Sequence, residues 1–262
     1  MPLPPAVAVD LDGVIWLGEE AIPGAADAIG RLRSEGVPTV FVTNNAYPTL
    51  AEHEAKLARF GIEAGGEVLS SPMAAASLVA PADRVLVAGG PGIAEAIAAA
   101  GAIGVSYAEA DAPDAPTVDA VVVGFDREFD WDRLRIASAA VRAGARFIAT
   151  NDDATYPTPD GPVPGGGAIV AAVAVAAGRE PIVAGKPHAP LADVVRARCG
   201  PEGLMIGDRP DTDGKFAVTL GWRFALVLSG VTTSPHGVDP PPDLVAVDLA
   251  ALVDQLLGQN RR

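Results

Sequence analysis

Short runs of consecutive apolar residues alternate with helical stretches along almost the whole chain. Ala6-Val7-Ala8-Val9, Thr39-Val40-Phe41-Val42, Arg84-Val85-Leu86-Val87, Asp119-Ala120-Val121-Val122-Val123, Arg146-Phe147-Ile148-Ala149, Leu204-Met205-Ile206 and Phe224-Ala225-Leu226-Val227-Leu228 each predict a strand. Their apolarity is continuous rather than alternating, which marks strands buried on both faces. With helices between them, that is the pattern of a parallel sheet covered on each side, an α/β fold. Helices are expected near Gly24 to Ser34, at Ser71-Pro72 with serine as N-cap and proline in the first turn, from Ala168 to Ala177, and at the terminal amphipathic segment Asp248 to Leu257. The proline- and glycine-rich stretches Thr155 to Gly167 and Pro235 to Pro242 read as loops.

Composition narrows the classes. The 262 residues are 49% hydrophobic and 20% charged, so the chain is globular and long enough for one large domain or two smaller ones. A net charge of −14 argues against a nucleic-acid partner, which needs a lysine and arginine footprint, but not against a small phosphorylated molecule. Cys199 is the single cysteine, which excludes an internal disulfide, suits a reducing compartment and reads as a buried or half-buried helix residue. The N-terminus carries no export signal, and the longest apolar helix candidate falls well short of the roughly 20 residues that span a bilayer, so a cytoplasmic location without a membrane is expected.

Three segments place acidic, hydroxyl or amide groups directly after a predicted strand: Asp10-Leu11-Asp12, Thr43-Asn44-Asn45, and Gly207-Asp208 with Asp213. In an open α/β sheet the carboxyl ends of the strands form the ligand crevice, so groups distant in sequence converge there. Asp10 and Asp208 can each give magnesium the hard oxygen ligand it prefers. A carboxylate can also attack phosphorus, and a second one two residues on, Asp12, can pass protons to the leaving group and from water. Thr43, Asn44 and Lys186, in Ala184-Gly185-Lys186-Pro187, can stabilise the transferred phosphoryl group. Each piece alone has a plainer reading: an Asp-x-Asp turn, a helix cap at Thr43-Asn44-Asn45, a loop lysine.

Together, in this order, the segments Asp10-Leu11-Asp12-Gly13-Val14, Thr43-Asn44-Asn45, Lys186-Pro187 and Gly207-Asp208-Arg209-Pro210-Asp211-Thr212-Asp213 resemble the four motifs of the haloacid dehalogenase (HAD) superfamily of phosphatases, and are most similar to its branch with a C2-type cap. The resemblance implies a Rossmann-like doubly wound core, residues 1–81 and 183–262, with an inserted α/β C2-type cap at 82–182. It implies Asp10 as nucleophile and metal ligand, and Asp12 as general acid/base that lends its backbone carbonyl to the metal. Thr43 and Lys186 would hold the phosphoryl group beside Asn44 and Asn45. Asp208 would be the third protein ligand to Mg2+, and Asp213 would support the metal or Lys186. The implied activity is hydrolysis of a small phosphomonoester (sugar, glycerol or glycolate phosphate, aryl phosphate or nucleotide) through a phospho-aspartate. The alternatives are a phosphoryl-transferring mutase or a non-hydrolytic phosphometabolite-binding protein. A homodimer through the cap is also implied. The segment after Asp213, Gly214-Lys215-Phe216-Ala217, departs from the pattern of many relatives, leaving the roles of Asp211 and Asp213 open.

Weaker signals remain. Gly89-Gly90-Pro91-Gly92 follows a strand but fails the dinucleotide-binding spacing and reads as a turn; Gly165-Gly166-Gly167 lacks the residues of a P-loop. Asn151-Asp152-Asp153 could form a second metal site, but reads more readily, and equally, as a turn with surface carboxylates or as a substrate-recognition loop in which Asn151 and Asp153 touch the ligand. His188 reads as structural, and His53 and His236 as surface residues.

Overall fold

The computed structural model describes residues 3–158 and 161–260. Two parallel sheets organise it. The first has six strands in the spatial order Leu244–Ala246, Arg223–Val227, Leu204–Gly207, Val7–Asp10, Thr39–Thr43, Val68–Ser70. Numbered along the chain within this sheet, that is 6-5-4-1-2-3, the doubly wound Rossmann order. The order reverses between Val7–Asp10 and Leu204–Gly207, which pair in parallel. A crevice therefore opens at their carboxyl ends, beside Asp10 and Asp208.

The second sheet is inserted between Val68–Ser70 and Leu204–Gly207. Its five parallel strands lie in the order Ile182–Val183, Arg146–Ala149, Ala120–Val123, Arg84–Ala88, Ile103–Val105. This is the other common doubly wound order, 2-1-3-4-5 in its own numbering, and it reverses between Arg84–Ala88 and Ala120–Val123.

The packing follows from residues alternating between the two faces. Val7, Val9, Phe41 and Ile206 bury one face of the first sheet under the helices Ala25–Ser34 and Leu249–Asn260. Ala8, Val40, Val42 and Met205 bury the other, in a cluster that continues without a break to Val85, Ala120 and Val122 of the second sheet. Leu86, Val121, Val123 and Phe147 form a separate core under the helices Trp131–Arg142 and Gly166–Ala177. Among the described residues no helix is long and apolar enough to cross a membrane.

Several expectations change. Thr155–Thr158 and Gly161–Pro164 form an antiparallel ribbon rather than a loop, with Pro157 opposite Pro162; Pro159 and Asp160 lie outside the described residues. A two-stranded ribbon accepts proline because its outer edge needs no partner. The N-cap expected at Ser71 falls at Ser70, and Ser71 donates its hydroxyl to the Asn44 carbonyl instead (2.9 Å). His53 is buried, not a surface residue; its Nε2 lies 3.2 Å from the Asn45 carbonyl. Four short outer strands of the two parallel sheets, Val68–Ser70, Ile103–Val105, Ile182–Val183 and Leu244–Ala246, were not expected, nor was the small ribbon of Trp16–Leu17 and Glu20–Ala21. Cys199 is half-buried at the end of its helix, as expected.

Candidate active site

The carboxyl ends of both sheets face one cavity of about 340 Å³. On the side of the first sheet, Lys186 is buried with its Nζ 2.7 Å from Asp10 Oδ1 and 2.7 Å from Asp213 Oδ1. Asp10, Asp208 and Asp213 offer carboxylate oxygens that all lie within 4.8 Å of one another. Three glycines make room for this cluster. A Cβ at Gly13, which adopts φ +84, would sit 2.5 Å from Asp208 Oδ2, one at Gly230 2.0 Å from the same atom, and one at Gly207 2.2 Å from Asp213 Oδ2. A wide π-type turn at Pro210–Gly214 brings Asp213 back over the strand it follows, a distortion common at functional sites.

The charges do not balance. Three carboxylates share one ammonium, and Asp208 Oδ1 is buried without a hydrogen-bond partner among the described residues. Burial holds the Asp10 carboxyl well above its ordinary value despite Lys186, with Asp213 and Asp208 adding to the rise. Burial, then Asp213, pushes Asp208 up to about 7. Burial works against the charge on Lys186, but Asp10 and Asp213 keep it raised and protonated. The two uncompensated negative charges and the orphaned oxygen are what a divalent cation with hard oxygen ligands would complete, so these residues fit a metal ion.

Asp12 contributes no side-chain oxygen to the cluster. Its Oδ1 accepts from Trp16 Nε1 (2.9 Å), and the Tyr156 hydroxyl approaches the same atom at 3.5 Å. Thr43 is buried, with its Oγ1 accepting from Asn45 N at 3.0 Å. Asn44 is the junction of the site. Its Oδ1 accepts from Lys186 N (2.8 Å), while its Nδ2 donates to Lys186 O and Asp153 Oδ2 (2.9 Å each). The Asn44 carbonyl accepts from Asn151 Nδ2 (2.8 Å) as well as from Ser71. Asn151 and Asp153 therefore line the cavity while fastening the second sheet to the Thr43-Asn44-Asn45 segment. Burial raises the Asp153 carboxyl, and the Asn44 hydrogen bond offsets part of that rise. Asp211 is exposed on Arg209, whereas Asp213 is buried on Lys186 and also accepts from Arg209 N (3.1 Å).

Two family models match the chain, one described as haloacid dehalogenase-like hydrolase over residues 7–103 and one as HAD-hydrolase-like over residues 183–252. An acid sugar phosphatase of Staphylococcus saprophyticus is 34% identical over 96% of this chain and 97% of its own length. The chain belongs to the haloacid dehalogenase-like hydrolases. As a HAD-type hydrolase it is an enzyme of the phosphatase kind, with a C2-type cap inserted in a Rossmann-like core. A D-glycerol 3-phosphate phosphatase of Mycobacterium tuberculosis is 39% identical over 89% of this chain, which spans 65% of that protein. The solved structure of a glycerol phosphate phosphatase from M. tuberculosis in complex with magnesium aligns with this HAD hydrolase at a TM-score of 0.84 and 36% identity, covering 95% of this chain and 76% of that one.

Several other residues that line the cavity carry no signal in the sequence: Tyr47, Phe125, Arg127 and Tyr156. None of them belongs to a recurring motif, and their approach depends on how the two sheets meet.

Proposed function

We propose that this HAD hydrolase cleaves a small phosphomonoester through a phospho-aspartate on Asp10, with Mg2+ as cofactor. The observation that carries the reading is Lys186 Nζ lying 2.7 Å from both Asp10 and Asp213, beside a third buried carboxylate, Asp208, at the reversal of strand order. Asp10 attacks phosphorus, forming a P–O bond as the bond to the leaving oxygen breaks, and Asp12 gives that oxygen its proton. Trp16 holds one oxygen of Asp12, fixing the carboxyl for this transfer. Asp12 then takes a proton from water, which attacks the aspartyl-phosphate and releases inorganic phosphate. Thr43, Asn44 and Lys186 hold the phosphoryl oxygens, with Asn45 keeping Thr43 in place. Asp10, Asp208 and the Asp12 carbonyl would hold the magnesium ion, with Asp213 in support, and the ion would neutralise charge on the phosphoryl oxygens.

In this reading residues 82–182 are the cap over a core of residues 1–81 and 183–262, excluding water and selecting the leaving group. The enzyme works in the cytoplasm, and the exposed Trp131 and Val175 on the cap helices suit pairing of two caps in a homodimer. Sugar and glycerol phosphates, named for the relatives' activities, are the first substrates to screen. The test is release of phosphate from p-nitrophenyl phosphate with magnesium and with EDTA. Magnesium-dependent release is expected; its absence overturns the reading in favour of a phosphometabolite binder, and transfer to another acceptor in favour of a mutase.

A further inference from the structure

Among the described residues three cations line the cavity: Arg127, Lys186 and Arg209. Lys186 is engaged by Asp10 and Asp213, and Arg209 by Asp211, with Asp153 at 4.0 Å. Arg127 differs. It is exposed at the rim, and among the described residues no carboxylate lies within ion-pair distance of its guanidinium, Glu52 interacting with it only from farther off. It sits instead over the Tyr47 ring, 4.4 Å from the centroid. A cation–π contact uses the face of the guanidinium and leaves its N–H donors for another partner.

Its position is built from both sheets. Asp126, buried beside it, accepts from Glu128 N (2.9 Å), closing a turn with Arg127 at its centre. Both Asp126 oxygens accept from Arg133 Nη1, at 2.7 and 2.9 Å, at the start of the helix Trp131–Arg142. On the other side, Tyr47 is fastened to the Thr43-Asn44-Asn45 segment through its own N–H, which donates to Asn45 Oδ1 at 3.3 Å, and its ring meets Phe125 edge-on at 6.0 Å. A long, flexible side chain is thus tethered at its base and along its face, facing a cavity whose other cations are neutralised.

We infer that Arg127 determines specificity by binding a second anionic group, a carboxylate or a further phosphate, on the leaving group of the substrate. The preferred substrates are then small phosphorylated acids or bisphosphates rather than neutral phosphoesters. This rests on the phosphomonoester reading above. The fork of guanidinium donors matches the two oxygens of either anion, and the cavity, about 340 Å³, is at the small end of ligand sites, so the second anion lies on a short leaving group. Asp126 and Arg133 are positioning residues for this contact.

The experiment compares kcat/KM for 2-phosphoglycolate, ethylene glycol bisphosphate and neutral 2-hydroxyethyl phosphate in the wild type, Arg127→Met, Arg127→Lys and Arg133→Met. The wild type should prefer one or both anionic esters. Arg127→Met, which keeps an apolar stem on Tyr47, should lower the anionic-to-neutral ratio by roughly ten- to a hundredfold, mainly through KM, as expected for a lost charge-assisted contact. Arg127→Lys should retain part of the ratio, and Arg133→Met should lower it less than Arg127→Met. Which anionic ester loses more identifies the carboxylate or the phosphate as the group bound. An unchanged ratio in Arg127→Met, or an equal loss on all three esters, overturns the inference and leaves Arg127 as a packing residue. Failure of the wild type to hydrolyse any ester, p-nitrophenyl phosphate included, would instead overturn the phosphatase reading.

Discussion

At the carboxyl end of the first sheet the strands run out into Asp10, Thr43 and Asp208; at the same end of the second they run into Gly89-Gly90, Gly124 and Thr150-Asn151. Both sheets are parallel and both reverse their strand order, so topology opens a crevice in each. The contents then decide the use. In the first, the crevice is lined by buried charges with no complete set of partners. In the second, the reversal point itself is filled by the protein: a Cβ at Gly90 would lie 2.5 Å from the Tyr47 ring, and one at Gly92 2.2 Å from the Pro48 carbonyl. The glycines that resemble a nucleotide-binding turn are there to let a core loop in. A strand-order reversal is therefore a place for a site, and only unsatisfied polar groups make it one.

Removing charge from the first crevice should have the largest effect. Asp10→Asn keeps the shape but loses the nucleophile, and turnover of p-nitrophenyl phosphate should fall by roughly 10⁴-fold or more, with the fold intact by circular dichroism. Turnover within tenfold of wild type would make the first crevice no more chemical than the second. Next in size is Lys186→Ala. A preorganised donor is typically worth a hundred- to a thousandfold in kcat, about 3–4 kcal/mol. Loss of its ammonium also leaves Asp10 and Asp213 facing each other unpaired, so metal-free protein should melt earlier and magnesium should restore part of the difference. Unfolding that magnesium does not repair would mark Lys186 as structural.

The second crevice should respond to bulk instead. Gly92→Ala pushes a methyl against backbone at Pro48 and should cost about 1–3 kcal/mol by thermal melting. Gly104→Ala, on the strand Ile103–Val105 with its nearest neighbour at 3.5 Å, is the uncrowded control and should cost less. Equal losses would show that the close approach to Tyr47 and Pro48 is not what the glycine provides. The smallest effect concerns pH. Burial raises Asp208 to about 7, so the folded protein binds that proton more readily than the unfolded chain, whose aspartates titrate near 4. Without metal, stability should therefore rise as pH falls from 8 through 7, by about 1 kcal/mol at most, and magnesium should flatten the trend. Below roughly pH 6.5 the buried His53, lowered by desolvation, works the other way. A metal-free melting temperature that falls between pH 8 and 7 would contradict the charge imbalance assigned to the first crevice.

The first sheet was more legible in the sequence than the second because its functional groups follow long apolar strands. Val7–Asp10, Thr39–Thr43 and Leu204–Gly207 are buried along their whole length, and a polar residue after such a run is conspicuous. The short outer strands Ile103–Val105 and Ile182–Val183 offer two or three residues, too few for a periodic signal, and are partly exposed. The Thr155–Pro164 ribbon was hidden by its prolines, which mark turns in most sequences. His53 gave no warning of burial, because its partner is a backbone carbonyl supplied by the loop after Thr43. Asn151 and Asp153 were visible as polar residues at a strand end, but their bonds to Asn44, more than a hundred positions away, were not.

Asn44 carries a consequence for modularity. Its amide and carbonyl are shared among Lys186, just after the edge strand Ile182–Val183, and Asn151 and Asp153, just after Arg146–Ala149. A chimera that exchanges the inserted sheet for that of a relative must bring a compatible Asn151–Asp153 segment with it. Otherwise the graft leaves Asn44 with unmatched partners, and the defect surfaces at Lys186, beside Asp10 of the first sheet.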